Sequence, residues 1–200
     1  TLQALVKSMR HEADGIVSVE LVPAAGAVFP PFTAGSHVDL HLPNGLVRSY
    51  SLLNDQNESG RYVVGVLNDR GSRGGSRYVH KELRVGMTLP ISPPRNNFDL
   101  HEDAPASVLV AGGIGVTPLL SMARRLKEIG KPFEVVYCAR SRNEAAFVSE
   151  IEGMGIPVTW HFDSEKGGPP DLKAILGGKP STSHYYSCGP APMLDAFERV

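Results

Sequence analysis

Cysteine is nearly absent from this chain. Cys138 and Cys188 are its only two in 200 residues, too few for a disulfide framework, and with no signal-like start the expected setting is a reducing cytoplasm. Charge of one sign is missing as well. Twenty basic side chains against 21 acidic ones leave a net charge of -1, which provides no electrostatic footprint for nucleic acid. No apolar run approaches the roughly twenty residues that cross a bilayer, so no membrane association is expected. Neither a G-x-S-x-G elbow nor a lysine-bearing phosphate loop is present, which removes the nucleophile of a hydrolase and the phosphate lysine of an NTPase. His37 and His41 share strand parity, but no carboxylate or third ligand follows at useful spacing, and no metal site is expected.

Glycine, by contrast, is concentrated where it can carry chemistry. Val108-Leu-Val-Ala-Gly-Gly-Ile-Gly-Val-Thr-Pro118 reads as a buried strand running through glycines into a helix. Four apolar residues (108–111) suit a parallel strand covered on both faces, and Gly112, Gly113 and Gly115 let the backbone turn tightly and approach a ligand. Thr117 is placed to cap the helix and Pro118 fits its first turn. Leu119, Met122, Ala123, Leu126 and Ile129 form an apolar stripe ending at Gly130. Such a helix start directs free N–H groups and a positive dipole end at an anion. The third glycine of G-x-G-x-x-G is replaced by Pro118, so a tight strand-to-helix turn without a ligand is the alternative for this segment alone.

Two periodicities divide the chain. Up to about Leu100 it shows short strands broken by Pro and Gly, most clearly over 15–22, 37–42, 46–53 and 61–67, which predicts an antiparallel β-barrel. Asn44-Gly45 marks a hairpin, since both positions tolerate positive φ, and a short helix is expected over 77–83. The polar run His101-Glu-Asp-Ala-Pro105 precedes a change of period, and the boundary is expected there, with domains 1–104 and 105–200. Beyond it, strands over 108–111, 133–139 and 158–162 alternate with helices over 118–129 and 143–154. That order implies an α/β doubly wound parallel sheet with right-handed crossovers. Ser141 and Glu144 stand at capping-box spacing. A helix over 171–176, a strand over 184–187 and a helix over 191–200 complete the second half.

The first half also holds a candidate anion site. In Arg48-Ser-Tyr-Ser-Leu52, Arg48 and Tyr50 share strand parity, so a guanidinium and an aromatic ring point the same way, suited to a phosphate and a flat heterocycle on one ligand. Gly74, Gly75 and Ser76 suit a second phosphate cradle at a helix start. A cross-strand aromatic with a solvated arginine, and a flexible loop, are the bland alternatives.

The order of these motifs resembles a known family. Arg48-Ser-Tyr-Ser51, then Gly74-Gly-Ser76, then Gly112-Gly-Ile-Gly-Val-Thr-Pro118, then Cys188-Gly-Pro190 is similar to the ferredoxin-reductase superfamily, across nearly the whole chain. More narrowly it resembles the phthalate dioxygenase reductase and vanillate O-demethylase reductase group, which also carries stretches like Pro94-Arg-Asn-Asn-Phe98 and His161-Phe-Asp163. The resemblance implies that Arg48, Ser49 and the Gly74–Ser76 turn hold a flavin phosphate, that Tyr50 packs on the isoalloxazine, and that Ser51 hydrogen-bonds near flavin N5. Ser51 has the opposite parity to Tyr50, so it must reach the ring edge or use its backbone. Gly112, Gly113, Gly115 and Thr117 would bind a nicotinamide dinucleotide. Cys188, followed by Gly189 and Pro190, would lie beside the reacting nicotinamide carbon, with a small buried hydrophobe as the plain alternative for Cys188. Ser51, Thr117 and Cys188 are the implied catalytic residues.

The activity implied by this resemblance is that of an NAD(P)H-dependent flavoprotein reductase. It passes a hydride from the nicotinamide to flavin and single electrons onward to a 2Fe-2S centre of a Rieske-type aromatic oxygenase or O-demethylase system. The group implies FMN, with FAD the alternative. NADH is favoured by resemblance, whereas Arg140-Ser141-Arg142 after the second parallel strand physically suits the 2′-phosphate of NADPH, unless Arg140 pairs with the pyrophosphate. One departure stands out: the four cluster cysteines of a plant-type ferredoxin domain are absent, and two cysteines fifty residues apart cannot ligate that cluster. The expectation is therefore the flavin and nucleotide portion of a longer chain, a monomer, with a ferredoxin domain beyond Val200 or a separate ferredoxin or oxygenase component as acceptor. A reductase of free ferredoxin or free flavin using FAD, and a non-catalytic nucleotide-binding module, are the competing readings.

Overall fold

The computed structural model describes residues 1–200, which form two compact units, Thr1–Leu100 and His101–Val200. The first unit contains β1 (Leu2–Ala13), β2 (Ile16–Pro23), β3 (His37–His41), β4 (Val47–Ser51), β5 (Tyr62–Leu67), the helix α1 (Gly75–Lys81) and β6 (Thr88–Ile91). The six strands make one antiparallel sheet in the order β4-β3-β6-β1-β2-β5. A Leu52–Val64 bridge draws the chain after β4 towards β5, curling the sheet into a half-barrel. Alternation places Val6, Val19, Leu21, Val38, Leu40, Leu52, Val64 and Ile91 inside, each Leu or Ile contributing ~1.5–3 kcal/mol by leaving water. Tyr62 lies among them, stacked 4.3 Å from Phe29, its hydroxyl donating to the Pro30 carbonyl.

Two strands of this half are weakly signalled in the sequence. β1 pairs with β2 through register shifts between Val6 and Ser8 and between His11 and Ala13. These bulges break the period of two that identifies a strand. β6 is four residues long and contains Pro90. The Asn44–Gly45 hairpin forms, but only Gly45 takes a positive φ (86°); Asn44 instead accepts the Leu46 N–H with its side chain at 3.2 Å.

The second unit contains β7 (Ser107–Gly112), α2 (Val116–Glu128), β8 (Phe133–Ala139), α3 (Val148–Gly153), β9 (Val158–Phe162), α4 (Asp163–Lys166), α5 (Leu172–Leu176), β10 (His184–Cys188) and α6 (Ala191–Glu198). Its sheet is parallel, in the order β10-β7-β8-β9. β7 is buried along its whole length, as an inner strand covered on both faces requires. The polar run at 101–105 is fastened to this unit: the His101 N–H donates to the Tyr186 hydroxyl at 2.8 Å, and Arg125 grips both Glu102 oxygens at 2.6 and 3.0 Å. No helix is long and apolar enough to cross a membrane.

The structure corrects three local expectations. The helix expected over 143–154 is broken: Arg142–Glu144 is a single 3-10 turn, Ala145 is extended, and Phe147 has φ 64° before α3 begins. Burial overrides propensity here, since Ala146 and Phe147 fill the core and the Tyr137 hydroxyl donates to the Ala146 carbonyl at 2.9 Å. Thr117 does not cap α2. It lies inside the helix, buried, with its hydroxyl donating to the Ile114 carbonyl at 3.2 Å. Ser141 and Glu144 meet side chain to side chain at 3.0 Å, and no side-chain cap of the backbone forms there.

Candidate functional site

In the first unit, strand pairing decides which side chains meet. Tyr50 lies opposite Val38 and Arg48 opposite Leu40, so both project from the face that carries the barrel interior, and Tyr50 packs on that core. Burial pushes the Tyr50 hydroxyl pKa up, keeping it a neutral donor. Arg48 runs across the turn before α1. A Cβ built on Gly75 would stand 2.6 Å from Arg48 Cγ and Nε, so only glycine lets the arginine pass. Gly74 has φ 110°, a conformation that other residues rarely adopt.

Polar side chains hold this turn open. Ser72 Oγ accepts the Gly74 N–H at 3.1 Å, Ser76 Oγ accepts the Asp69 N–H at 3.2 Å, and Asn44 Nδ2 donates to the Gly74 carbonyl at 3.3 Å. The Gly75 and Ser76 amides, at the start of α1, receive no acceptor from the chain. The Arg48 guanidinium bonds to its own neighbour's carbonyl, that of Val47, at 2.8 Å. Two amides and an arginine without a carboxylate thus converge, the donor set a phosphate monoester needs.

Ser49 and Ser51 face the other way. Ser49 pairs with Asp39 across the strands and donates its hydroxyl to that carboxylate. Arg95 Nη2 approaches the other oxygen of Asp39 at 2.5 Å. The Ser49 hydroxyl, with Arg95, holds the Asp39 carboxyl pKa down against a smaller opposing effect of burial. Ser51 lies opposite His37, so its side chain is on the Ser49 side of the strand and only its backbone is shared with Tyr50. Asp39 carried no signal in the sequence, because its role depends on which strand pairs with β3. Arg95 lay within the Pro94–Phe98 stretch, but nothing there indicated a partner.

In the second unit, chain order fixes the location. β8 and β9 lie to one side of β7 and β10 to the other, so direction reverses between β7 and β10. In open α/β sheets, ligands bind outside the carboxyl ends of the strands at this point. Gly112–Thr117 follows β7 and Gly189–Pro190 follows β10, in register through Ala111 and Cys188. The two turns touch through missing side chains. A Cβ on Gly115 would stand 2.2 Å from the Cys188 carbonyl oxygen, one on Gly112 2.6 Å from Met193 Sδ, and one on Gly189 3.0 Å from the Gly112 Cα. Gly113 is different: it has φ 54° and would meet nothing. Three glycines therefore serve close packing and one faces open space.

Cys188 is half-buried, and desolvation pushes its thiol pKa up, so it presents a neutral S–H. Cys138 is buried and raised to about 11, by desolvation and by the Asp163 carboxylate. Beside Cys188, the buried Ser187 hydroxyl has no partner within the chain, an orphaned polar group that an incoming ligand can satisfy. Arg140 is exposed after β8, while Arg142 pairs with Glu165.

Comparison with known proteins agrees with this geometry. No family model matches. A phenoxybenzoate dioxygenase subunit beta of Ectopseudomonas oleovorans is 46% identical over 193 residues, covering 96% of this chain and 60% of that protein. A vanillate O-demethylase oxidoreductase of Pseudomonas sp. (strain HR199 / DSM 7063) is 46% identical over 199 residues, covering 96% of this chain and 62% of that protein. The solved phthalate dioxygenase reductase, a modular structure for electron transfer from pyridine nucleotides to 2Fe-2S, superposes with a TM-score of 0.92 at 36% identity, over 99% of this chain and 63% of that one. A half-barrel followed by a parallel nucleotide-type sheet is the ferredoxin-reductase class of fold. Within that class, its homologues are phthalate dioxygenase reductase-type and vanillate O-demethylase reductase proteins. The chain spans about three fifths of the length of the curated relatives it matches.

Proposed function

We propose that this chain is the flavin- and pyridine-nucleotide-binding portion of an NAD(P)H-dependent reductase serving a Rieske-type aromatic oxygenase or O-demethylase. The carrying observation is a phosphate-type donor set in each unit: Arg48 with the free Gly75 and Ser76 amides in one, and the Gly112–Thr117 turn at the switch point in the other. Arg48, Tyr50 and the Gly74–Ser76 turn would hold FMN, and a flavin bound there would supply the means of taking a hydride from NADH and passing electrons singly to a 2Fe-2S centre, whether in a further domain or in a partner protein.

The chain's own residues do the placing. Arg48, Gly74, Gly75 and Ser76 hold the FMN phosphate, and the Tyr50 ring covers the flat heterocycle. Ser49 stiffens the strand through Asp39, while Ser51 offers its backbone to the ring edge. Amides of Gly113 and Gly115 and the buried Thr117 position the dinucleotide. Cys188, kept protonated by burial, provides a small neutral surface beside the nicotinamide instead of a thiolate that would repel hydride density. Gly189 and Pro190 shape the same wall. An Arg–phosphate hydrogen bond contributes ~1.5–3 kcal/mol and an aromatic contact ~0.5–1.5 kcal/mol, against about 8 kcal/mol for micromolar retention, so the flavin needs all of them together. A cytoplasmic monomer with free thiols belongs to the same reading.

The visible absorption spectrum, recorded anaerobically before and after NADH and then NADPH, tests it. Flavin bands that bleach with a nicotinamide donor support the reductase. A protein that stays colourless after addition of FMN and FAD overturns it and leaves a nucleotide-binding module. Extraction and chromatography of the flavin separate FMN from FAD.

A further inference from the structure

β8 ends at Ala139 and leads into Arg140-Ser141-Arg142. At the end of the second strand, dinucleotide-binding domains meet the adenosine ribose, an acid taking the free 2′-hydroxyl and a cation taking a 2′-phosphate. Two arginines in sequence favour the phosphate. In three dimensions the charge of Arg142 is already matched. Arg142 makes a two-pronged contact with Glu165, Nε to Oε1 at 3.1 Å and Nη2 to Oε2 at 3.4 Å, and its guanidinium lies 4.6 Å from the centre of the Phe162 ring. The Ser141 hydroxyl is taken as well, donating to Glu144 Oε2 at 3.0 Å. α4, which carries Glu165, is pinned beside this segment by the Ser164 N–H donating to the Arg140 carbonyl at 2.9 Å. The basic-looking segment thus has two carboxylates beside its two arginines, Glu165 paired with Arg142 and Glu144 accepting from Ser141, while Arg140 is exposed.

We propose that the Glu165–Arg142 pair, supported by Glu144, makes this chain accept NADH and reject NADPH. Glu165 fills the guanidinium fork that a 2′-phosphate would use, since carboxylate and phosphate make the same paired hydrogen bonds. The two carboxylates also repel a group carrying about -1.5 to -2 charges. Phe162, 1% exposed, holds the guanidinium plane in place for Glu165. The pair is spare for folding: its side chains are 56% and 47% exposed, and pairs of that kind add little stability. This inference rests on the reading of the second unit as a pyridine-nucleotide domain.

Calorimetric titration with 5′-AMP and 2′,5′-ADP tests the two ideas separately. The unaltered protein should bind 5′-AMP roughly tenfold or more tightly than 2′,5′-ADP. Glu165→Gln should raise the relative affinity for 2′,5′-ADP by roughly tenfold, Glu144→Gln added to it should raise it further, and Arg142→Ala in the Glu165→Gln background should cancel the gain. Glu165→Ala gives the same measurement with no amide left to occupy the fork. The ratio of kcat/KM for NADPH over NADH should move in parallel. If 5′-AMP binds but discrimination is unchanged in both Glu165 variants, or if the gain survives Arg142→Ala, the assignment of Glu165 is overturned while the nucleotide reading stands. If neither nucleotide binds any form, the nucleotide reading falls and this assignment with it.

Discussion

The two units each present a glycine turn at a helix start, and they build it in opposite ways. In the first unit the turn is stitched by side chains: Ser72, Ser76 and Asn44 hold its backbone, and the neighbour a Cβ on Gly75 would strike is the flexible stem of Arg48. In the second unit the turn is held by backbone packing, since Gly115 would strike the Cys188 carbonyl and Gly189 the Gly112 Cα. A side chain can move aside, whereas backbone at the paired ends of two neighbouring parallel strands cannot. The first cradle is thus tunable by single substitutions, and the second is part of the fold.

The largest expected effect would break this comparison if it failed to appear. Gly115→Ala places a methyl 2.2 Å from the Cys188 oxygen, forcing β10 away from β7 at a cost of about 3 kcal/mol. Urea denaturation should show the loss, and nucleotide affinity should fall with it. Gly75→Ala, although its methyl would lie 2.6 Å from Arg48 Cγ, should cost the fold less than about 1 kcal/mol, because the arginine swings away. Equal destabilisation by the two would mean that the Arg48 side chain is as fixed as backbone.

Binding sharpens the contrast. Arg48→Ala should weaken FMN affinity roughly tenfold or more, worth about 1.4 kcal/mol, with the unfolding midpoint unchanged. Gly75→Ala should reproduce much of that loss by expelling the guanidinium from the turn. Fluorescence titration of the apoprotein with FMN reads both, and an unchanged dissociation constant for Arg48→Ala would remove that residue from the site.

Legibility followed the same division. The alternation of strand and helix in the second unit is readable because inner parallel strands are continuous apolar runs: residues 108–111 signal β7 without reference to anything distant. The exception, the helix expected over 143–154, failed where Ala146 and Phe147 were drawn into the core at the cost of a left-handed Phe147, a tertiary demand with no local signature. In the first unit, the parity of Arg48 and Tyr50 was readable from the strand alone. The approach of Arg48 to Gly75, and the union of Ser49, Asp39 and Arg95, depend on contacts between residues up to 56 positions apart. Balanced charge was hidden for a similar reason: Arg142 meets Glu165 only because α4 folds back beside β8.

The smallest expected effect concerns the face of β4 turned away from Arg48 and Tyr50. Asp39 accepts the Ser49 hydroxyl and pairs with Arg95, and these partners hold its folded-state pKa below the ordinary value of 3.8. A carboxylate depressed in this way adds stability that is fully present above its unfolded pKa and is lost as pH falls through the lower folded value. Asp39→Asn removes that contribution at every pH. The stability gap between the unaltered protein and the variant should therefore be widest near neutrality, below about 1 kcal/mol because the Arg95 partner is solvent-screened, and should close as pH drops below ~4. Urea midpoints at neutral and acid pH measure it. A gap that persists unchanged into acid would assign the effect to lost hydrogen-bond geometry at Ser49 instead of charge, and would make this outer face of the strand as insensitive to titration as the packed glycines of the second unit.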